Sequence, residues 1–375
     1  MVAPRIGRMT LPIYLDYAAT TPVDPAVVAA MAPWADARFG NPHSPHRWGY
    51  DAAAAIGVAR GQVAALLGVA PDRIAFTGGA TEAVNWALKG VMLAATSARR
   101  RLVTVATEHS CVLETARWLE TIGCGLTVVG VGRDGLVDRA ALAAALGPDV
   151  ALVSTMLVNN ETGVIAPVAD IARLAHAVGA LMHCDAAQGF GKIDCTALGA
   201  DLVSVSGHKI YGPKGVGALY RRAGVALVPL LHGGGQEDGR SGTLSPALCV
   251  GLGTAAAVAA ARMASDADHV RTLGDRLLAA IGVPVTLHGG AAPRWLGIVN
   301  LGFDVDAARL LAATRTLAIS AGSACATGRA SHVLAAMGVA PGLRLSFGRF
   351  TRADEIDTAA AVLTAAVGQL TARAA

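Results

Sequence analysis

Lysine is scarce in this sequence, and the surroundings of one lysine suit it for chemistry. The lysines of the chain are Lys89, Lys192, Lys209 and Lys214. Lys209 directly follows the strand-like run 202–206 and is preceded by Gly207 and His208. The other three lie on a predicted helix surface or in loops beside glycines. A primary amine at the end of a buried strand can bind a carbonyl compound covalently, and we predict this role for Lys209.

Further polar groups follow two other strand-like runs. The run 74–77 is followed by Gly78-Gly79-Ala80-Thr81, which leads into a predicted helix. Glycine lets backbone N–H groups approach an anion, and the N-terminus of a helix favours negative charge there. The run 181–184 is followed by Asp185, with Gln188 shortly after it. Taken one at a time, these segments are also typical of turns and of helix caps.

Together, such residues meet the requirements of pyridoxal phosphate (PLP). This cofactor needs a lysine amine, a carboxylate that keeps the pyridine nitrogen protonated, and neutral donors or a helix terminus for its phosphate. The residues that could supply these groups are Thr81, Asp185, Ser206, His208 and Lys209. Because ligands of parallel sheets bind at the carboxyl ends of the strands, we expect these side chains to meet. The set therefore predicts a PLP site.

The elements that would position these residues alternate along the chain between apolar runs and helical segments. Helices are predicted at 80–96, 112–121 and 168–178. The runs interpreted as strands are 74–77, 102–106, 126–131, 151–158, 181–184, 202–206 and 216–220. This alternation predicts an α/β fold with a mostly parallel sheet covered by helices.

The length of 375 residues exceeds what one hydrophobic core usually serves, so we predict two domains. The larger domain, 16–260, would bind the cofactor. The smaller, α+β in character, would combine residues 1–15 with 261–375 and would restart with a helix at 268–281.

Composition and charge argue against several classes of protein. Apolar residues make up 53% of the chain and charged residues 15%, which is globular and not disordered composition. The basic residues behind the net charge of +4 are scattered, so nucleic-acid binding is not expected. The most apolar stretch, 251–261, is too short to span a bilayer, and no apolar run follows Arg5 and Arg8. We therefore expect neither a membrane partner nor a signal peptide.

The six cysteines include no CxxC pair, which argues against a zinc site or a disulfide framework. Free thiols fit a reducing compartment, so we expect the protein in the cytoplasm.

Six segments occur in the order and with the residues of a known family. They are Tyr14-Leu15-Asp16-Tyr17-Ala18-Ala19-Thr20-Thr21-Pro22, Thr77-Gly78-Gly79-Ala80-Thr81-Glu82, Thr107-Glu108-His109, Val158-Asn159-Asn160-Glu161, Ser206-Gly207-His208-Lys209 and Ser320-Ala321-Gly322-Ser323-Ala324-Cys325. In these segments, which extend over nearly the whole chain, the sequence resembles the cysteine desulfurases of the NifS/IscS kind. These are class-V enzymes of PLP aminotransferase fold type I. The resemblance implies a large domain with a mostly parallel seven-stranded sheet and a smaller C-terminal α+β domain.

The resemblance also implies roles at the cofactor. Lys209 would bind PLP, Asp185 would pair with the pyridinium nitrogen, and Gln188 would hydrogen-bond the ring hydroxyl. His109 would stack on the ring and act in catalysis. The residues further implied in cofactor binding are Ala80, Thr81, Asn160, Ser206, His208 and Thr243. Thr243 would reach the phosphate bound by the other subunit, which implies a homodimer.

For the substrate, the resemblance implies L-cysteine, with Asn160 and Arg344 holding its carboxylate. An arginine fork matches a carboxylate in shape and charge. Cys325 lies in a run of small and polar residues, which is typical of an exposed loop. Its thiolate would take the substrate sulfur as a persulfide and release L-alanine. The loop beyond it, 326–332, is slightly shorter than the family pattern.

The pKa of an ordinary thiol is about 8.5, so Cys325 would need a base or a positive field, for which His109 and Arg329 are candidates. The persulfide would pass to a sulfur-acceptor or iron–sulfur scaffold protein, and Cys325 could transiently ligate a cluster there. No other metal site is expected within the chain. The alternatives are another class-V PLP enzyme, such as a selenocysteine lyase or an aminotransferase, and a catalytically silent scaffold. An aminotransferase would not need Cys325, and a silent scaffold would not need Lys209 and Asp185.

Overall fold

The computed structural model describes residues 11–321 and 331–373. The strands are β1 Ile13–Tyr14, β2 Ile74–Thr77, β3 Arg101–Val105, β4 Gly125–Val129, β5 Val150–Met156, β6 Leu181–Asp185, β7 Leu202–Ser206, β8 Gly217–Arg221, β9 Thr286–Leu287, β10 Ile298–Gly302, β11 Leu317–Ala318 and β12 Leu343–Ser346. The helices are α1 Pro25–Met31, α2 Arg47–Leu67, α3 Ala80–Ala94, α4 Ser110–Thr121, α5 Arg139–Ala145, α6 Val168–Ala177, α7 Pro246–Ala280, α8 Ala307–Ala313, α9 His332–Ala336 and α10 Ala353–Ala372.

A seven-stranded sheet forms the centre of the fold. Its strand order is β2-β8-β7-β6-β5-β3-β4, and in this sheet only β8 runs opposite in direction to the other six strands. The inner strands are buried on both faces: every residue of β5 and of β7 is buried. Strands of this kind appear in the sequence as continuous apolar runs, because helices cover both faces of a parallel sheet. The predicted α/β fold with a mostly parallel seven-stranded sheet is confirmed.

The C-terminal third forms two smaller sheets. The strands β12, β10 and β9 pair antiparallel in that order. The N-terminal strand β1 pairs parallel with β11, and Asp16 forms a bridge with Ser346. The first described residues therefore pack with the last third of the chain. The exact domain division, 16–260 against 1–15 with 261–375, stays a prediction.

The helix expected at 268–281 is part of a much longer one, α7, and the prediction of its start was wrong. Ser245 caps α7 by accepting a hydrogen bond from the N–H of Leu248, and the helix then continues for 35 residues. The cluster of acidic residues near Asp268 resembles a helix start. However, the alanine-rich stretch before it is a strong helix former and contains no proline. The helix therefore passes through the predicted boundary without a break.

Helix α7 packs against α1, α2 and α10. Its Gly253 lies so close to α2 that a Cβ atom there would be 2.5 Å from the Cα of Ala59. By length and composition alone α7 could cross a membrane, and it is the one such helix in the described part of the chain. In this fold it lies against other helices, as a core helix does.

Candidate active site

The largest group of functional side chains lines a cavity of about 990 Å³ at the carboxyl ends of β5, β6 and β7. Most of the residues predicted from the sequence meet there. Those that line the cavity are Ala80, Thr81, His109, Asn160, Asp185, Gln188, Ser206, His208, Lys209 and Arg344. The roles assigned to them stay predictions, but their proximity is a feature of the structure.

Lys209 ends a short 3₁₀ turn that follows β7 directly. Its Nζ donates to the carbonyl oxygens of Ala18 at 2.5 Å and Ala19 at 2.8 Å. Both belong to the segment after β1, which also supplies Thr20 to the cavity wall. Two carbonyl groups from the N-terminal segment thus hold the amine at the base of the cavity.

Asp185 is the last residue of β6 and its side chain is buried. Its Oδ1 accepts from the N–H of Ala187 at 2.9 Å. Burial raises the pKa of this carboxyl group, and the nearby His109 and Lys209 oppose that rise. A buried carboxylate that faces a cavity is stabilised in its charged form when a cationic ring nitrogen binds beside it.

His109 caps α4, and this contact determines its tautomer. The Nδ1 atom accepts from the backbone N–H of Cys111 at 3.2 Å and lies 3.1 Å from the Cys111 Sγ. A backbone N–H can only donate, so Nδ1 carries the lone pair and the ring proton sits on Nε2. Burial lowers the pKa of His109, which favours the neutral ring.

The start of α3, where the sequence predicts a phosphate cradle, lines the cavity. Gly79 has φ +146°, a conformation that favours glycine, and no side chain within 11–321 or 331–373 caps the helix there. A Cβ atom on the facing Gly217 would lie 2.7 Å from the carbonyl carbon of Gly79, so the two backbones touch. Burial lowers the pKa of His208 to about 4, so this ring is a neutral donor or acceptor. Neutral groups and a helix N-terminus suit a phosphate.

Arg344 is fully buried, and three hydrogen-bond acceptors orient its guanidinium group. Its Nη1 donates to the carbonyl of Asn160 at 2.9 Å, and its Nη2 to Asp16 Oδ1 at 2.7 Å and Ser320 Oγ at 3.3 Å. Its Nε has no hydrogen-bond partner among the described residues. Arg344 lines the cavity, and its guanidinium charge fits an anionic substrate group.

Two predicted residues do not line the cavity. Thr243 is exposed and outside the cavity of its own chain. The segment that contains it is held nearby, because Arg240 forms a bidentate pair with Glu82 of α3, with Nε 2.7 Å and Nη2 3.1 Å from the carboxylate oxygens. Cys325 lies outside the described residues.

The described residues that flank that segment contact residues in or next to the site. On one side Ser320 contacts Arg344, and on the other Ser331 donates to Glu161 Oε2 at 2.5 Å. His332 Nε2 lies 2.8 Å from the carbonyl oxygen of Glu108. Within 11–321 and 331–373, no group of three or more histidine, cysteine or acidic residues could hold a metal ion.

The sequence did not assign individual roles to several of these residues. Asp16 pairs with Arg344, Glu82 with Arg240, and Glu161 with Ser331. Each contact joins residues far apart in the chain, and no local pattern predicts it. The family resemblance was the one available signal, since Asp16, Glu82 and Glu161 lie in segments quoted for it.

One layer below the cavity, His183 bridges two neighbouring strands. Its Nδ1 lies 2.8 Å from Ser154 Oγ of β5 and its Nε2 2.8 Å from Ser204 Oγ of β7. The ring is fully buried, and burial lowers its pKa to about 3. It is therefore a neutral structural link beneath the site.

This histidine should make folding stability depend on pH. Between its ordinary pKa of 6.5 and about 3, the unfolded chain binds a proton that the folded chain does not. The free energy of unfolding should therefore fall as pH falls below 6.5, by up to about 1.4 kcal/mol per pH unit from this group. His183→Gln, which can still donate and accept, should reduce this slope in chemical denaturation. An unchanged slope would contradict the buried neutral ring of His183. His208→Gln serves as a comparison, because burial lowers the pKa of His208 as well.

The chain was compared with protein families and with known proteins. Residues 13–358 match the family model described as aminotransferase class-V. The chain is 43% identical over 386 aligned positions to "Cysteine desulfurase IscS" of Rickettsia peacockii, covering 98% of the chain and 94% of that protein. The same identity holds over 384 positions, with 98% and 94% coverage, for the protein of that name in Rickettsia massiliae.

Solved structures with a similar fold agree with these sequence matches. A structure titled "NIFS-LIKE PROTEIN" superposes with a TM-score of 0.90 at 33% identity, over 96% of this chain and all of the other. A second, titled "SspA in complex with cysteine", has a TM-score of 0.82 at 35% identity, over 91% of this chain and all of the other.

Proposed function

The chain belongs to the aminotransferase class-V family and is a cysteine desulfurase within it, and we propose that Lys209 carries its PLP and Cys325 accepts the sulfur of L-cysteine. The observation that supports this most is the meeting of the Lys209 amine, the Asp185 carboxylate and the His109 ring at one cavity, beside the start of α3. We further propose that the enzyme works in the cytoplasm, where the free cysteines of the described residues would stay reduced.

The residues of the cavity fit PLP. The buried Asp185 carboxyl would pair with the ring nitrogen, and His109 would lie against the ring. The residues that would receive the phosphate are Ala80, Thr81, Ser206 and His208. When bound, PLP withdraws electrons from the substrate Cα, so that a proton can be removed from it.

The protein's own groups carry the remaining steps. Arg344 and Asn160, which both line the cavity, would orient the substrate by its carboxylate. Lys209 Nζ would take the Cα proton, because it is the amine at the base of the cavity. The Nε2–H of His109 is a donor that could deliver a proton to the substrate.

The transfer of sulfur to Cys325 needs no separate oxidant or reductant. The Cys325 thiolate attacks the sulfur of the substrate, an S–S bond forms, and the substrate C–S bond breaks. The carbon keeps the electron pair of that bond and takes a proton, which yields L-alanine. Cys325 is left as a persulfide, which we propose passes to an acceptor such as an iron–sulfur scaffold protein.

Mapping the transferred sulfur tests this proposal. After a short incubation of PLP-loaded protein with L-cysteine, alkylation and peptide mass spectrometry should find one added sulfur atom on Cys325. The thiols of Cys111, Cys184, Cys195 and Cys249 should stay unmodified, because burial raises the pKa of each. Sulfur found first on one of these four would overturn the assignment of Cys325.

We also propose a homodimer with shared sites, since Thr243 is exposed and lies outside the cavity of its own chain. A mixed dimer of Thr243→Ala and Lys209→Ala chains would then contain one site with both residues intact and one with neither. At a PLP concentration that leaves the Thr243→Ala homodimer mostly empty, the mixed dimer should recover about half of the wild-type activity. Such a concentration exists because Thr243→Ala would remove a hydrogen bond to the charged phosphate, and a bond of this kind contributes about 1.5–3 kcal/mol to binding. If each chain used its own Thr243, both sites would be defective and no activity would return.

A further inference from the structure

Lys192 is a half-buried lysine beside the active site, and neither its sequence context nor the resemblance gave it a role. It lies in the turn after β6, and its Nζ is 2.9 Å from Oε1 of Gln188. Burial, and secondly the charge of Lys209, lower its pKa to about 7. The hydrogen-bond partner of Lys192, the side chain of Gln188, is a neutral amide. The charge on the Lys209 amine disfavours the ammonium form of Lys192.

The amide of Gln188 is engaged at both ends. Its Oε1 accepts from Lys192, and its Nε2 donates to the carbonyl oxygen of Ala18 at 2.7 Å. In the reverse orientation, the amide oxygen would face the Ala18 carbonyl and the NH₂ group would face the ammonium group of Lys192. Two acceptors would then meet at one end and two donors at the other. Lys192 and Ala18 together therefore select one orientation.

The same carbonyl connects the two lysines. Ala18 accepts from Gln188 Nε2 and also from Lys209 Nζ, the latter at 2.5 Å. A network thus runs from Lys192 through Gln188 and Ala18 to the amine of Lys209. Gln188 lines the cavity, and its NH₂ group carries a second N–H besides the one given to Ala18.

We propose that Lys192 is a positioning residue that fixes the side-chain amide of Gln188 with its NH₂ end available to the ring hydroxyl of the cofactor. This inference rests on the proposed function, in which Gln188 binds that hydroxyl. An ionised hydroxyl accepts hydrogen bonds, so an N–H stabilises it and a carbonyl oxygen repels it. Together with the Ala18 carbonyl, Lys192 thereby favours the orientation in which Gln188 attracts this group.

The test compares Lys192→Met, which removes the donor at similar length, with Lys192→Arg, which keeps a donor and a charge. Lys192→Met should raise the dissociation constant for PLP about fivefold and shift the visible absorbance band of the bound cofactor. Lys192→Arg should restore both, and Lys89→Met, at a lysine that does not line the cavity, should change neither. Thermal unfolding checks that the variants fold, and Lys192→Ala replaces Lys192→Met if the latter does not.

A double-mutant cycle then shows whether Lys192 acts through the amide. In a Gln188→Leu background, Lys192→Met should have no further effect on PLP affinity or on the band. If the two changes act independently, so that their effects multiply in the dissociation constant, the inference is overturned. It also fails if Lys192→Met matches the wild type in both readouts. Failure of the wild-type protein to bind PLP would instead overturn the proposed function, so the two outcomes are distinguishable.

Discussion

Lys209→Ala should lower the release of alanine and sulfide from L-cysteine by at least about a thousandfold, the scale of losing a nucleophile that also moves the proton. The protein should fold and still bind PLP without a covalent bond, because Asp185 and the start of α3 remain. The expectation follows from the position of the amine, which the Ala18 and Ala19 carbonyls hold at the base of the cavity. Assays of alanine and sulfide, together with mass spectrometry after borohydride reduction, measure both consequences.

Two other lysines provide the controls. Lys192 is engaged with Gln188, and Lys214 lines the cavity wall. Borohydride should attach the cofactor to Lys209 in the wild type and in Lys214→Ala. Attachment to Lys192 or Lys214 in the wild-type protein would show that the cofactor lysine has been misassigned.

The second large effect concerns Cys325. Cys325→Ala should fold, bind PLP with its yellow colour and still change its absorbance on addition of L-cysteine, since no step before sulfur transfer needs a thiol. Production of alanine and of sulfide should collapse together, because nothing then accepts the sulfur. Paired assays of both products and an absorbance titration with L-cysteine separate the lost step from the retained ones.

The other cysteines are matched controls for this substitution. Cys184 and Cys249 are buried, and burial raises the pKa of both thiols, for Cys249 to about 12. Cys111 lines the cavity, but burial raises its pKa as well. Alanine at any of these three positions should leave turnover largely intact. Native turnover in Cys325→Ala would rule out the persulfide route.

Sequence reasoning worked best where one local rule determines the structure. Each of the seven strands of the main sheet coincides with a predicted apolar run to within about two residues, since buried parallel strands need such runs. The rule that ligands bind at the carboxyl ends of strands brought Asp185 and Lys209 to one cavity. The roles of His109, Gln188 and Arg344, in contrast, came from the family resemblance.

Contacts between distant segments could not be predicted in the same way. Arg344 and Asp16 lie 328 positions apart in the sequence, and nothing near either residue indicates the pair. Lys192 was interpreted as a loop residue, and it does lie in a turn. Its contact with Gln188 was not predicted, because that contact depends on how the turn after β6 folds inward. The start of α7 was misplaced, because a change from alanine-rich to charged sequence alters the exposed face of a helix without ending it.

The uninterrupted α7 has a mechanical consequence. Its 35 residues give a rod about 50 Å long, which packs against α1, α2 and α10. A hinge between the two predicted domains would have to bend this rod, and bending a helix sharply breaks several of its backbone hydrogen bonds at once. The two parts of the chain should therefore move as one stiff body.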